Sequence, residues 1–193
     1  MSRHELRATA EDSHDAAHGA PEVIAFFMRW APRSTVLELG ASGGRVVLPL
    51  AAAGYEVSVV DASESAIRRF LMHPGAERVH LLHADLRRNV LEQLFGVVIL
   101  GPDIFAGCRT LRAQIDLLGV AVDHMTPDGV VIVETMPSAG RNFLSPAELD
   151  LMAQSAGLAL RYRSSDFDGA PFDARNGKAV SVYRRRERSG RPV

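Results

Sequence analysis

Apolar residues fall in short runs separated by glycine, proline and polar residues, and two spacings alternate along the chain. Val23, Ile24, Phe26, Phe27 and Trp30 recur at helical intervals behind Pro21, so a helix is predicted over 21–30, with proline at a first position whose N–H is unused anyway. Residues 35–39 are a short apolar run ending at a glycine and read as a strand. Residues 44–53 are small and apolar and stop at Gly54, which suits a helix closed by a left-handed residue. A β-branched strand at 56–60, a helix at 63–72 behind Ser63 as N-cap, and a strand at 79–82 follow. Next come a nearly all-apolar strand at 95–100, a helix at 110–125 and a fully apolar strand at 129–134. A helix at 145–156 opens on Ser145, Pro146 and Glu148, and strands at 158–163 and 179–183 complete the series.

Strands and helices that alternate in this way predict an α/β fold, a parallel sheet with helices on both faces. Continuous apolar strands such as 97–100 and 130–133 suit positions buried on both faces. The last two strands have no helix between them, so an antiparallel hairpin is expected at one edge. Residues 1–19 are polar and read as a flexible arm, 20–186 as one domain, and 187–193 as a basic, solvated tail.

Composition narrows the function classes. At 193 residues, with 47% hydrophobic and 23% charged positions, the chain suits one globular domain and not a disordered one. Twenty-two basic against 23 acidic residues leave a net charge of −1, which argues against nucleic acid or an anionic membrane as partner. One cysteine, Cys108, excludes a disulfide framework and a cysteine-rich zinc site. No apolar stretch approaches the ~20 residues of a membrane span, and the N-terminus has no apolar secretory core, so a cytoplasmic setting is expected.

Residues 35–63 carry the chemistry. They read strand, glycine turn, helix, strand, acid. Glycines let backbone approach a ligand closely, and Asp61 lies 21 residues after Gly40, the ~20-residue spacing of an acid that grips a ribose diol. The run Gly40-Ala41-Ser42-Gly43-Gly44-Arg45 is neither G-x-G-x-x-G nor a P-loop. Glu38 before it would repel a pyrophosphate and attract an amino group or a sulfonium. A zwitterionic, cationic nucleoside fits, and S-adenosylmethionine (SAM) has that charge pattern.

On these residues the chain resembles the class I SAM-dependent methyltransferases, especially their small-molecule branch. Glu38, Gly40, Ser42 and Gly44 match the first motif, [DE]-x-G-x-G-x-G, with Ala41 inside it. Asp61, followed by Ala62, matches the ribose acid, and Asp85-Leu86 the pair that clasps adenine. Residues 95–102, with Gly101 in the loop, match the fourth strand and the loop facing the methyl group. Residues 126–134 match the turn and fifth strand, and 166–172 the terminal hairpin. The resemblance implies a Rossmann-like, seven-stranded, mostly parallel sheet with helices on both faces and a C-terminal antiparallel hairpin. It implies SAM as cofactor and S-adenosylhomocysteine (SAH) as product. It also implies Glu38, Gly40, Ala41, Ser42, Gly44, Asp61, Ala62, Asp85, Leu86 and Gly101 as cofactor residues. Three departures stand out. Ser42 replaces the middle glycine, Gly96 stands where an aspartate is common, and only about ten residues bridge the fifth strand and last helix, where relatives often insert a lid.

The expected function is transfer of a methyl group to an O, N or C atom of a small-molecule acceptor, such as a natural product, chiefly by positioning. A non-catalytic SAM- or SAH-binding relative and another SAM-using enzyme on the same scaffold remain open. No fixed triad or metal site is expected. His14 and His18, four apart in the arm, are candidates for a gate over SAM, a base or an acceptor contact, and Asp103 after strand four for a base or an acceptor contact. Glu134, Arg141 and Asn142 are further candidates for acceptor contact. His124 reads as a helix-terminal residue favoured by the dipole, His83 as structural or near adenine, and Cys108 as a small, half-buried residue. A homodimer is one way to complete a site that lacks a lid.

Overall fold

The computed structural model describes residues 20–32, 34–85, 91–108, 110–136, 145–175 and 177–186. His14, His18, Leu86, Arg141, Asn142, the arm and the basic tail lie outside them. In order the elements are α1 (Ala20–Trp30), β1 (Val36–Leu39), α2 (Val47–Ala52), β2 (Val57–Asp61), α3 (Glu64–Leu71), a 3-10 turn (Ala76–Arg78) and β3 (His80–His83). Then come β4 (Phe95–Leu100), α4 (Pro102–Gly107), α5 (Leu111–Asp123), β5 (Met125–Thr135), α6 (Pro146–Ser155), β6 (Leu158–Ser164) and β7 (Ala179–Arg185).

The seven strands form one sheet in the order β3-β2-β1-β4-β5-β7-β6. Pairs β1–β2, β1–β4, β2–β3 and β4–β5 are parallel, whereas β7 runs antiparallel to both β5 and β6. The expected sheet and hairpin are therefore present, with β7 inserted inside and β6 left as the edge. Alternate side chains feed two cores, so the central strands need apolar residues at nearly every position. Val36, Val59, Val97, Ile99 and Ile132 pack with Phe26, Phe27 and Leu50 on one face. Leu37, Leu39, Val98, Leu100 and Val133 pack with Leu118, Leu149 and Met152 on the other.

Local sequence explains the element ends. Thr110 caps α5, its side chain accepting from the Ala113 N–H, and Ser145 with Glu148 makes a reciprocal capping box at α6. His124 closes α5 with its ring held by two backbone groups. Nδ1 lies 2.7 Å from the Val120 carbonyl, and Nε2 accepts from the Leu91 N–H at 3.0 Å. It therefore braces the N-terminal ends of β4 and β5, away from the edge where β1 leads into its glycine turn. Gly96 has a steric reason: a Cβ there would sit 2.6 Å from that of Ser34.

Three boundaries differ from expectation. The helix predicted from residue 44 begins at Val47, because the preceding glycines are spent on the turn. β5 starts four residues early, since Met125 pairs with Phe95 before the ladder resumes at Val97 and Val130. α4, six residues with Pro102 at its start, stands where the sequence predicts a loop; it is too short to show a helical period.

The strand order reverses between β1 and β4, so the loops leaving them diverge and open a crevice, the general ligand position in open α/β sheets. The turn after β1 depends on Gly44, which has φ 76° and whose added Cβ would lie 2.4 Å from Leu48 Cδ1. Gly54 has φ 88° but nothing within 4 Å. Gly54→Ala is expected to cost about 1 kcal/mol from backbone strain alone, and Gly44→Ala roughly 2–4 kcal/mol because crowding adds to strain. Urea unfolding of the two variants checks the difference.

Candidate functional site

A cavity of about 790 Å³ opens at the C-terminal ends of β1, β2 and β4. Of the residues singled out from sequence, Gly40, Ala41, Ser42, Asp61, Ala62, Asp85, Gly101 and Asp103 line it. Glu38 and Gly44 are not among its lining residues; Glu38 is buried behind Ser42.

The turn after β1 takes positive φ at Gly40 (93°), Gly43 (34°) and Gly44 (76°). Its left-handed angles thus fall on glycines, where they are nearly free of steric cost. Ser42, in the place of the family's middle glycine, uses its hydroxyl instead, donating to Glu38 Oε1 at 2.6 Å. The start of the loop after β4 comes close to this pair. A Cβ on Gly101 would sit 3.4 Å from Ser42 Oγ and 4.0 Å from Glu38 Oε1.

Asp61 ends β2 with both carboxylate oxygens held by backbone. Oδ2 accepts from the Ala41 N–H at 2.7 Å and Oδ1 from the Ser63 N–H at 2.6 Å. These bonds orient the acid and tie the glycine turn to β2, and a carboxylate keeps further lone-pair sites for a ligand's hydroxyls. His83 Nε2 lies 3.1 Å from the Ala62 carbonyl and braces the neighbouring strand end.

The electrostatics centre on Glu38. It is 1% exposed, and burial pushes its carboxyl up to about 8, against the opposing effects of the Ser42 hydrogen bond and the Arg45 charge. Its Oε2 is buried without a hydrogen-bond partner. Glu38 registers with Ile99, and Ile99 with Ile132, so Glu134, two residues further along β5, projects from the same face. Glu134 is 3% exposed; burial raises its carboxyl too, opposed by Arg45 and Lys178. It pairs with Arg45 and does not line the cavity, so the acceptor contact expected of it is replaced by an internal ion pair. The Arg45 guanidinium also lies 5.5 Å from the Phe167 ring centre, and Lys178 pairs with Asp166 in the connection between β6 and β7.

Sequence reasoning missed several lining residues, among them Arg69, Ile104, Thr110 and Leu117, and assigned Cys108 no place on the cavity. A signal existed for Arg69. Ser63, Ala66 and Arg69 are spaced by three behind Asp61, which places them on one face of α3. Thr110 and Leu117 arrive through a turn of chain after α4 and carried no local signal. Among the described residues, no helix is long and apolar enough to cross a membrane, and no group of three or more His, Cys, Asp or Glu is placed to hold a metal ion.

No protein-family model matches the chain. It is similar to the CcbJ methyltransferase from Streptomyces caelestis, with a TM-score of 0.74 and 27% identity, covering 90% of this chain and 95% of that one. The chain has the class I SAM-dependent methyltransferase fold. The same fold is shared with the glycopeptide N-methyltransferase MtfA complexed with SAM, at a TM-score of 0.68 and 19% identity over 87% of this chain and 94% of that one. Among curated proteins, the ubiquinone biosynthesis O-methyltransferase of Rickettsia akari is 26% identical over 117 residues, covering 60% of this chain and 45% of the relative. The chain therefore spans less than half the length of the curated relatives it matches.

Burial of Glu38 has a measurable consequence for this methyltransferase fold. The folded carboxyl holds its proton to about pH 8, against an ordinary value of 4.5, so between these limits the folded state binds more protons than the unfolded state. Stability contributed by this group is therefore lost as pH rises through the window, by up to about 1.4 kcal/mol per pH unit. Glu38→Gln, which cannot ionise, is expected to flatten that fall, as read by urea unfolding without ligand from pH 5 to pH 8.

Proposed function

We propose that the chain transfers a methyl group from SAM to an O, N or C atom of a small-molecule acceptor, releasing SAH. The observation that carries this reading is the buried, unpartnered Oε2 of Glu38 behind a glycine turn whose other flank presents Asp61. An isolated buried carboxylate is costly, and a cationic amino group is the partner that would offset the cost.

The residues present fit such a cofactor. Asp61 would hold the ribose hydroxyls, Asp85 the adenine side, and Glu38 the amino group of the methionine part. Gly40, Ala41, Ser42 and Gly101 would let backbone close around it. The bound cofactor supplies a methyl group already activated by a sulfonium. The chain's own work is to orient that group, exclude water and hold an acceptor in line with it. Asp103, exposed at the start of α4 and lining the cavity, would touch an acceptor.

Several observations support a small acceptor. The relatives named above are called methyltransferases of ubiquinone biosynthesis and of a glycopeptide. The net charge of −1 supplies no general attraction for nucleic acid. A role in small-molecule biosynthesis in the cytoplasm is part of the proposal, in keeping with a chain whose one cysteine provides no disulfide.

Calorimetric titration with SAM and SAH tests the reading. The folded protein is expected to bind both at about micromolar Kd, and Asp61→Ala to weaken binding tenfold or more, about 1.4 kcal/mol. Production of SAH in the presence of candidate acceptors then separates an enzyme from a binding protein. Absence of binding by the folded protein overturns the proposal.

A further inference from the structure

Half-buried Arg45 and buried Glu134 pair beside the glycine turn and have no part in the reaction proposed above. We propose that they are positioning residues that set the charge of Glu38, and through it the pH range in which the chain accepts a cationic nucleoside. The inference rests on the reading of the site as one for SAM.

Three ionisable groups meet at one edge of the sheet: the buried Glu38 from β1 and Glu134 from β5, on the same face, and the half-buried Arg45 from the turn. Each element packed around Glu38 contributes. The turn brings the Ser42 hydroxyl and the Arg45 charge, β2 brings Asp61, and β5 brings Glu134. Among the described residues, β4 brings the uncharged Ile99, and the loop after it Gly101. Behind Glu134, the connection between β6 and β7 brings Lys178 and Asp166. Two of these influences favour an ionised Glu38, the Ser42 bond and Arg45; Glu134 and Asp61 oppose it.

Arg45 bonds Glu134 through Nη2, while its Nη1 is buried with no hydrogen-bond partner. An arginine recruited only to staple two segments would be expected to use its fork in a two-pronged grip. Here one prong holds β5 and the charge is shared between two acids. The Phe167 ring, 5.5 Å from the guanidinium, gives it a second contact, and its positive charge acts on Glu38. The pair also ties the turn after β1 to the end of β5, two strands away across the crevice.

Arg45 and Glu134 act on Glu38 with opposite signs, and this separates charge-setting from simple support. Loss of support weakens binding for both variants in the same direction at every pH. Loss of charge moves the ionisation of Glu38 up for one and down for the other.

The experiment follows the side-chain carboxyl 13C signal of Glu38, assigned with Glu38→Gln, through a pH titration of the full chain with and without SAH. In the free protein Glu38 is expected to ionise near pH 8. Arg45→Met should raise that midpoint and Glu134→Gln lower it, each by about one pH unit. The double variant should fall between them, and Arg45→Lys should stay close to the parent. Saturating SAH should hold Glu38 ionised well below the free midpoint, and the pH at which SAH affinity stops rising and levels off should follow each variant's free midpoint. If Arg45→Met does not fold, Glu134→Gln decides the matter alone, because it keeps an acceptor for Arg45 and removes the charge. Midpoints that stay put, or that move in the same direction in both variants, overturn the inference while leaving SAH binding intact. Failure of SAH to bind the folded parent overturns the SAM reading and, with it, the link to cofactor binding.

Discussion

Strand β1 places a glutamate between Leu37 and Leu39, at a position that its neighbours on β2 and β4 fill with Val59 and Ile99. Water does not reach that carboxyl, so in the free protein it keeps its proton to about pH 8. The Ser42 hydroxyl bonds one oxygen, Arg45 contributes a positive charge, and the second oxygen has no protein partner. The turn after β1, the close approach of Gly101 and the placement of Arg45 against Phe167 all bear on how this one side chain is accommodated. A residue so costly to bury in the free protein becomes favourable once a cation meets it.

The sheet makes this arrangement possible. Four parallel pairings bring the C-terminal ends of β1 to β5 to one edge, and the reversal of order between β1 and β4 parts their loops there. Helices on both faces bury the strands and leave the edge open. The antiparallel β7 then closes the far side of β5, so that the connection from β6 brings Phe167 over Arg45. A polar staple holds this hairpin in place. The Tyr183 hydroxyl donates to Asp150 Oδ1 at 2.7 Å, and Arg163 donates to both Asp150 oxygens. Stability of the hairpin and composition of the charged cluster are thus linked, although the staple and the cavity lie on different elements.

Ser42 shows how a departure from a family pattern can be used. The turn keeps its positive φ values on Gly40, Gly43 and Gly44, which leaves position 42 free to carry a side chain, and that side chain serves Glu38. Gly96 is the reverse case, a small residue required by the proximity of Ser34 across the strand end. Substitution at the same kind of position can therefore add a bond or relieve a clash, and only the neighbours decide which.

What the sequence alone determined were properties local to a few residues. Uninterrupted apolar strands meant burial on both faces, alternation meant a parallel sheet, and the glycine turn with Asp61 at its 21-residue spacing located the cavity. Such features are legible because period, turn chemistry and strand-end position act over short distances. Tertiary structure decided the partners. Arg45 lies 89 residues from Glu134, and nothing in either neighbourhood announces the pair. Glu134 looked like a residue facing an acceptor until the register of β5 placed it beside an arginine, and His124 became a brace for the far edge only when Leu91 was brought to its ring. Long-range electrostatic partners are set by strand order and register, which bring together side chains whose local sequences carry no record of each other.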